Sequence, residues 1–372
     1  MRRPRTLFVT LAAALLLLGA CTGDDDDEGG GTADTSDTAS GDTSGGGGGG
    51  DDAGETLAAV QDAGEVRCAS RDDLPGFAAL DPAGEHVGFD VDFCRVIAAA
   101  VLGDADSATI FDVETDDRFT TLQAREVDVL VRNTTWTAQR DGAEGATFLQ
   151  PNFYDGQGMM VAADAGIGSL DDLSGQVVCV AGGTTSEGNV ATEFARRGLA
   201  PPEVLSFDDV NLLQTAFQEG RCDGWSSDRS QLTGLRSNYP DGPDLLVILP
   251  DNFSKEPLAP AVRDGDSQWA QAVEWAVFAT IQAEEFGITS DNVDEMRDTS
   301  TDPAVLQFLG VEVDGAVLDP GLGLPEDFAY QVVSQVGNYG EIYERHIAPL
   351  GLDRGENEIW TEGGLLYAPP YR

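Results

Sequence analysis

The chain has 372 residues and a formal net charge of −45, with 66 Asp and Glu against 21 Lys and Arg. Such an excess of acid repels phosphate backbones and sets nucleic acid aside as a partner. The only histidines are His86 and His346, and no pair of the five cysteines has ligand spacing, so no metal or cofactor is expected.

Residues 1–20 read as a signal peptide, in which Arg2, Arg3 and Arg5 precede an apolar run over 7–18. Leu18-Gly19-Ala20-Cys21 is similar to a bacterial lipobox, which implies cleavage before Cys21 and a diacylated Cys21 as the membrane anchor. Residues 21–54 contain consecutive aspartates from Asp24, consecutive glycines from Gly45 and no large apolar side chain. Such a segment buries too little surface to fold and reads as a disordered acidic tether. What remains is long enough for two lobes. Residues 55–157 read as the first part of lobe 1, 158–252 as lobe 2, and 253–372 as the rest of lobe 1 with a C-terminal packing extension.

Apart from Cys21 there are four cysteines, Cys68, Cys94, Cys179 and Cys222. An even set in an exported chain favours disulfides, for which three connectivities are open. Cys68 with Cys94 and Cys179 with Cys222 is preferred, because each bond then closes one lobe and leaves the lobes free to move.

The pattern predicts a helix over 57–63, a strand over 66–69 and a helix over 88–101 with Phe93, Ile97 and Val101 on one buried stripe and Asp90 as its cap. A short helix over 118–124 leads into a strand over 127–131. Residues 153–161 read as a crossing to the second lobe. A strand over 175–181 then meets Gly182, Gly183, Thr184, Thr185 and a helix, an arrangement that binds anions at the helix start. A strand over 245–249 follows, and residues 254–262 cross back. Asp266 caps a long helix with Trp269, Val273, Val277 and Ile281 on its core stripe, ended by Gly287. Strands alternating with helices make the class α/β with parallel sheets.

The chain is organised around residues 127–141, where an apolar strand breaks into Asn133, Thr134 and Thr135 and then meets Arg140. Unpaired N–H groups beside a guanidinium make a socket for a carboxylate. A second stretch echoes the first: Gln123, Asp128 and Asn133 recur as Gln218, Asp223 and Asp228 at the same offsets. Two like lobes would then present Arg140 and Asp228 across one crevice, a base for a carboxylate and an acid for an ammonium. That pair suits an amino-acid zwitterion.

Gly88-Phe-Asp-Val-Asp-Phe-Cys, Arg132-Asn-Thr-Thr-Trp-Thr, Tyr154-Asp-Gly-Gln-Gly, Ser254-Lys-Glu-Pro-Leu and Gly337-Asn-Tyr-Gly-Glu-Ile occur in this order. With them, residues 66–372 resemble the extracytoplasmic amino-acid-binding proteins of ABC importers (solute-binding family 3), within them the general or polar amino-acid group. The resemblance implies a two-lobed periplasmic-binding-protein-like fold of type II with two hinge strands. It implies a monomer that delivers a free L-amino acid to an ABC transporter permease. It places Arg140 at the carboxylate arginine, Asn133 and Thr135 at main-chain and hydroxyl contacts, Thr184 and Thr185 at the second lobe's carboxylate cradle, and Asp228 at the ammonium acid. Arg71 and Arg118 lie where binders of acidic amino acids use arginines, which implies a polar or acidic ligand: Glu, Gln, Asp or Asn. Arg132 is open between the pocket and burial behind its strand, and Phe77 between covering the ligand and filling the core.

The reading is of a binding protein rather than an enzyme. Its alternative is a lyase of the cyclohexadienyl dehydratase type on the same fold, with Glu187 as the nearest acid. A serine hydrolase finds no support, since Gly224-Trp-Ser-Ser lacks the nucleophile-elbow spacing.

Overall fold

The computed structural model describes residues 54–240 and 242–371, all within one compact unit. The signal peptide, Cys21 and the tether up to residue 53 lie outside the described residues.

Two five-stranded sheets of like design form the two lobes. In the first, Ala108–Asp112, Val66–Ser70 and Val129–Leu130 run parallel, and Ala261–Arg263 joins antiparallel between Val129–Leu130 and Ala146–Phe148. In the second, Glu203–Phe207, Val177–Ala181 and Gly224–Asp228 run parallel, and Gln157–Ala162 joins antiparallel between Gly224–Asp228 and Leu246–Ile248. Phe153–Asp155 and Glu256–Leu258 pair antiparallel as the two hinge strands, with Asp155 opposite Glu256.

The sequence echo is a structural one. Asp128 accepts from Arg67 N at 2.9 Å while its own N–H donates to Arg67 O at 2.8 Å. Asp223 does the same to Val177, with the same two distances. Each aspartate therefore locks the strand that follows it to the start of its parallel neighbour, Val66–Ser70 in lobe 1 and Val177–Ala181 in lobe 2, and each chain then carries a polar residue to the crevice.

Local expectations are corrected by packing. The central strand of lobe 1 is only Val129–Leu130, because residues 131–137 turn away before the helix Ala138–Ala143. Helix Phe89–Leu102 has no single buried stripe: 12 of its 14 residues are buried. Its outer face is covered by Phe328–Gln335 and Tyr339–His346 from the C-terminal extension, which also pack on Ser267–Glu285. Asp90 does not cap its own helix but is buried within it and accepts from Asn133 N at 2.8 Å. Phe77 fills the core, edge-on to Phe89 and Phe153. Asp266 does cap Ser267–Glu285, accepting from Trp269 N, and the Trp269, Val273, Val277 and Ile281 stripe is buried. The disulfides are Cys68–Cys94 and Cys179–Cys222, each within one lobe.

Candidate functional site

The carboxyl ends of the parallel strands of both sheets face one crevice, where open α/β sheets place their ligands. From lobe 1 it is lined by Arg71, Arg118, Arg132, Asn133, Thr135 and Arg140, and from lobe 2 by Thr184, Thr185 and Asp228. The cavity left between them measures about 30 Å³.

Arg140 is positioned by its helix. Thr137 caps Ala138–Ala143, accepting from Arg140 N at 3.2 Å, and Arg140 Nη1 donates back to Thr135 O at 2.9 Å. Arg140 Nη2 and Arg118 Nη2 both donate to Gly183 O of lobe 2, each at 3.2 Å. Arg118 is further held by Thr115 O at 2.7 Å and Thr134 Oγ1 at 3.3 Å. It thus stands between Arg140 and Arg132, whose Nη2 donates to Thr115 Oγ1 at 3.1 Å. Arg71 lies at the far end, paired with Asp73 at 2.5 Å and reaching Asn133 Oδ1 at 3.4 Å. Arg71 Nη2 and Arg132 Nε are buried without a protein partner.

Neighbouring guanidiniums destabilise the charges of Arg118 and Arg132. Burial lowers the Arg118 pKa well below its ordinary value, and repulsion from Arg140, Arg132 and Arg71 lowers it further. Burial brings Arg132 down to about 9, with Arg71 adding repulsion. Arg140 is lowered by burial against the pull of Asp228 and Glu256. Asp228 is displaced in the opposite sense: burial, then repulsion from Asp155 and Glu256, raises it well above the carboxylate range, opposed by Arg140 and Arg118. Each of these charges would be relieved by an opposite charge entering the crevice.

The threonine hydroxyls are already committed. Thr184 Oγ1 donates to Ala181 O at 2.6 Å, while Thr135 and Thr185 donate to Glu256. What lobe 2 has free for an anion is the N–H end of helix Thr185–Arg196, whose first residues line the cavity. Asn133 adopts φ 34, a left-handed conformation unusual outside glycine. The Asp90 carboxylate holds its N–H in that geometry and Asn133 Nδ2 donates to Gln231 Oε1 of lobe 2 at 3.3 Å.

The crevice thus brings together all eight side chains singled out from the sequence as ligand contacts. It also places Arg132 at the cavity wall, and adds Thr115, Ser227 and Gln231. Glu256 and Asp155, just behind the wall, were within quoted motifs but had no assigned role. Their signal was hydrogen-bonding capacity in an otherwise apolar hinge.

Residues 66–291 match the family model for bacterial extracellular solute-binding proteins, family 3. The chain is 46% identical over 320 residues to a general L-amino acid-binding periplasmic protein of Rhizobium johnstonii, covering 85% of this chain and 93% of the relative. It is 42% identical over 323 residues to a glutamate/glutamine/aspartate/asparagine-binding protein of Rhodobacter capsulatus, covering 86% and 94%. Among solved structures, an ABC transporter periplasmic binding protein from Brucella ovis with glutathione bound superimposes with a TM-score of 0.82 at 42% identity, covering 85% of this chain and 99% of that one. With the same two-lobed architecture and a family match spanning both sheets, the chain belongs to the bacterial extracellular solute-binding proteins of family 3.

Proposed function

We propose that this protein captures a free L-amino acid by closing its lobes over it and delivers it to the permease of an ABC transporter. Polar and acidic side chains, Glu, Gln, Asp and Asn, are preferred. The observation that carries this reading is one crevice in which four buried arginines face one buried aspartate. In it Arg140 and the helix start at Thr184 and Thr185 take the α-carboxylate, and Asp228 takes the ammonium. The side chain extends toward Arg71 and Arg132, which have N–H groups to spare, with Arg118 bordering both ends. A buried N–H without a partner favours a carboxylate or amide oxygen over an alkyl group.

The matched relatives are transport-associated binding proteins, not enzymes, and the lyase alternative is set aside. Lobe limits at 157/158 and 252/253, both between the two hinge strands in sequence, are part of the proposal. So are a monomeric state and an extracytoplasmic domain anchored through lipidated Cys21.

A calorimetric screen of the common amino acids against the purified domain tests the function, with unchanged ligand recovered afterwards. Saturable binding of glutamate, glutamine, aspartate or asparagine ahead of leucine and phenylalanine is expected, and leucine displacing glutamate at equal concentration would overturn the preference. Glutathione belongs in the same screen as the second reading. Its γ-glutamyl end offers the same ammonium and carboxylate, and its second carboxylate would engage the surplus of arginine. For the anchor, Cys21→Ala should release the protein from the membrane fraction, and retention there would refute lipidation.

A further inference from the structure

Glu256 opens the second hinge strand and is 1% exposed. Its carboxylate is held by four hydrogen bonds, each from a neutral group. Oε2 accepts from Thr135 Oγ1 at 2.7 Å and Thr185 Oγ1 at 2.8 Å. Oε1 accepts from Asn189 Nδ2 at 2.9 Å and Ser254 Oγ at 2.5 Å. Thr135 belongs to lobe 1, whereas Thr185 and Asn189 lie on the first helix of lobe 2 after Gly183. A single hinge side chain therefore touches both lobes at the wall of the crevice.

A hydroxyl carries one hydrogen, and both threonines give theirs to Glu256. Toward the cavity, which both line, they offer only lone pairs. Lone pairs accept from an ammonium and repel a carboxylate, so the α-carboxylate meets the main-chain N–H groups of that helix start and not the Thr185 hydroxyl. We infer that Glu256 is a positioning residue for ligand capture: it fixes the Thr135 and Thr185 hydroxyls as acceptors, so that the crevice selects an ammonium-bearing ligand, and it ties both lobes to the hinge when they meet. The inference deepens the amino-acid reading and rests on it.

Glu256→Gln tests it, because an amide nitrogen in the place of Oε2 donates to the Thr135 and Thr185 hydroxyls and leaves both of their hydrogens free to turn toward the crevice. Fold is checked by circular dichroism and melting. The variant is titrated with L-glutamate, or whichever amino acid the wild type binds best, and by competition with the 2-hydroxy acid of the same side chain. The amino acid should lose affinity by about tenfold or more, the weight of one hydrogen bond to a charged group, and should lose at least tenfold more than the hydroxy acid. Equal losses for both ligands, or no loss, would overturn the assignment, and where the hydroxy acid competes with neither protein, a loss of less than tenfold for the amino acid overturns it. Should Glu256→Gln fail to fold, Thr135→Val combined with Thr185→Val removes the same acceptors and is judged by the same gap. A wild-type protein that binds no amino acid would instead defeat the amino-acid reading at the first titration.

Discussion

Arg140 and Asp228 are buried at 8% and 6% exposure with opposite charge displacements. Removing either leaves the ligand's matching charge without a partner in a dry site, a loss of about 3–5 kcal/mol, or two to four decades in affinity. Arg140→Ala and Asp228→Ala should each lose that much for every amino acid tested by calorimetry. Asp90 makes a different prediction. Burial raises its carboxyl to about 7, opposed by the Asn133 N–H, Arg71 and Arg132. A raised folded pKa means the folded protein binds the proton more tightly than the unfolded chain, so this group favours folding below the ordinary carboxylate pKa. Its contribution declines as pH rises from near 4 to about 7. Asp90→Asn keeps an acceptor for Asn133 N without the charge. Urea unfolding at pH 5 and pH 8 should show the variant gaining on the wild type by a few kcal/mol at the higher pH.

The helix Arg229–Ser237 carries Asp228 at its start and Gly234 in its interior. A Cβ at Gly234 would stand 2.5 Å from Pro75 O of lobe 1, so glycine lets the lobes approach there. Alanine is the better helix former by up to about 1 kcal/mol. Gly234→Ala should therefore leave the melting temperature unchanged or higher while weakening ligand affinity about tenfold, near 1.4 kcal/mol. Calorimetry beside differential scanning separates the two effects, and equal affinity would show that the lobes meet without this contact. Gly234 left no trace in the apolar pattern of its segment, because its neighbour comes from the other lobe.

Across the whole molecule, the C-terminal extension braces the hinge. Asn357 Oδ1 accepts from Tyr154 N at 2.7 Å and its Nδ2 donates to Tyr154 O at 3.0 Å, as a neighbouring strand would. Tyr339 Oη donates to Asn152 O at 2.9 Å. Asn357→Ala leaves two main-chain groups of the hinge strand unpaired, at a cost of about 1–3 kcal/mol. Chemical denaturation should register that loss, and amide exchange should quicken at Tyr154. Unaltered exchange would mean the hinge holds without its brace.

The sequence by itself determined the α/β class, the repeated layout of the lobes, the within-lobe cysteine preference and eight of the side chains that line the crevice. It could do so because strand ends, helix caps and paired aspartates are local features whose side-chain chemistry is written in order along the chain. It left Arg132 and Phe77 open, and it misread Asp90 as a cap and helix Phe89–Leu102 as one-sided. Those outcomes depend on which surfaces meet. Asp90 turns to Asn133 because the strained turn of residues 131–137 lies over it, and most of the helix is buried because residues more than two hundred positions later cover its outer face. Glu256 is the clearest case: its four donors come from three separate stretches of chain, and only the meeting of both lobes at the hinge gathers them.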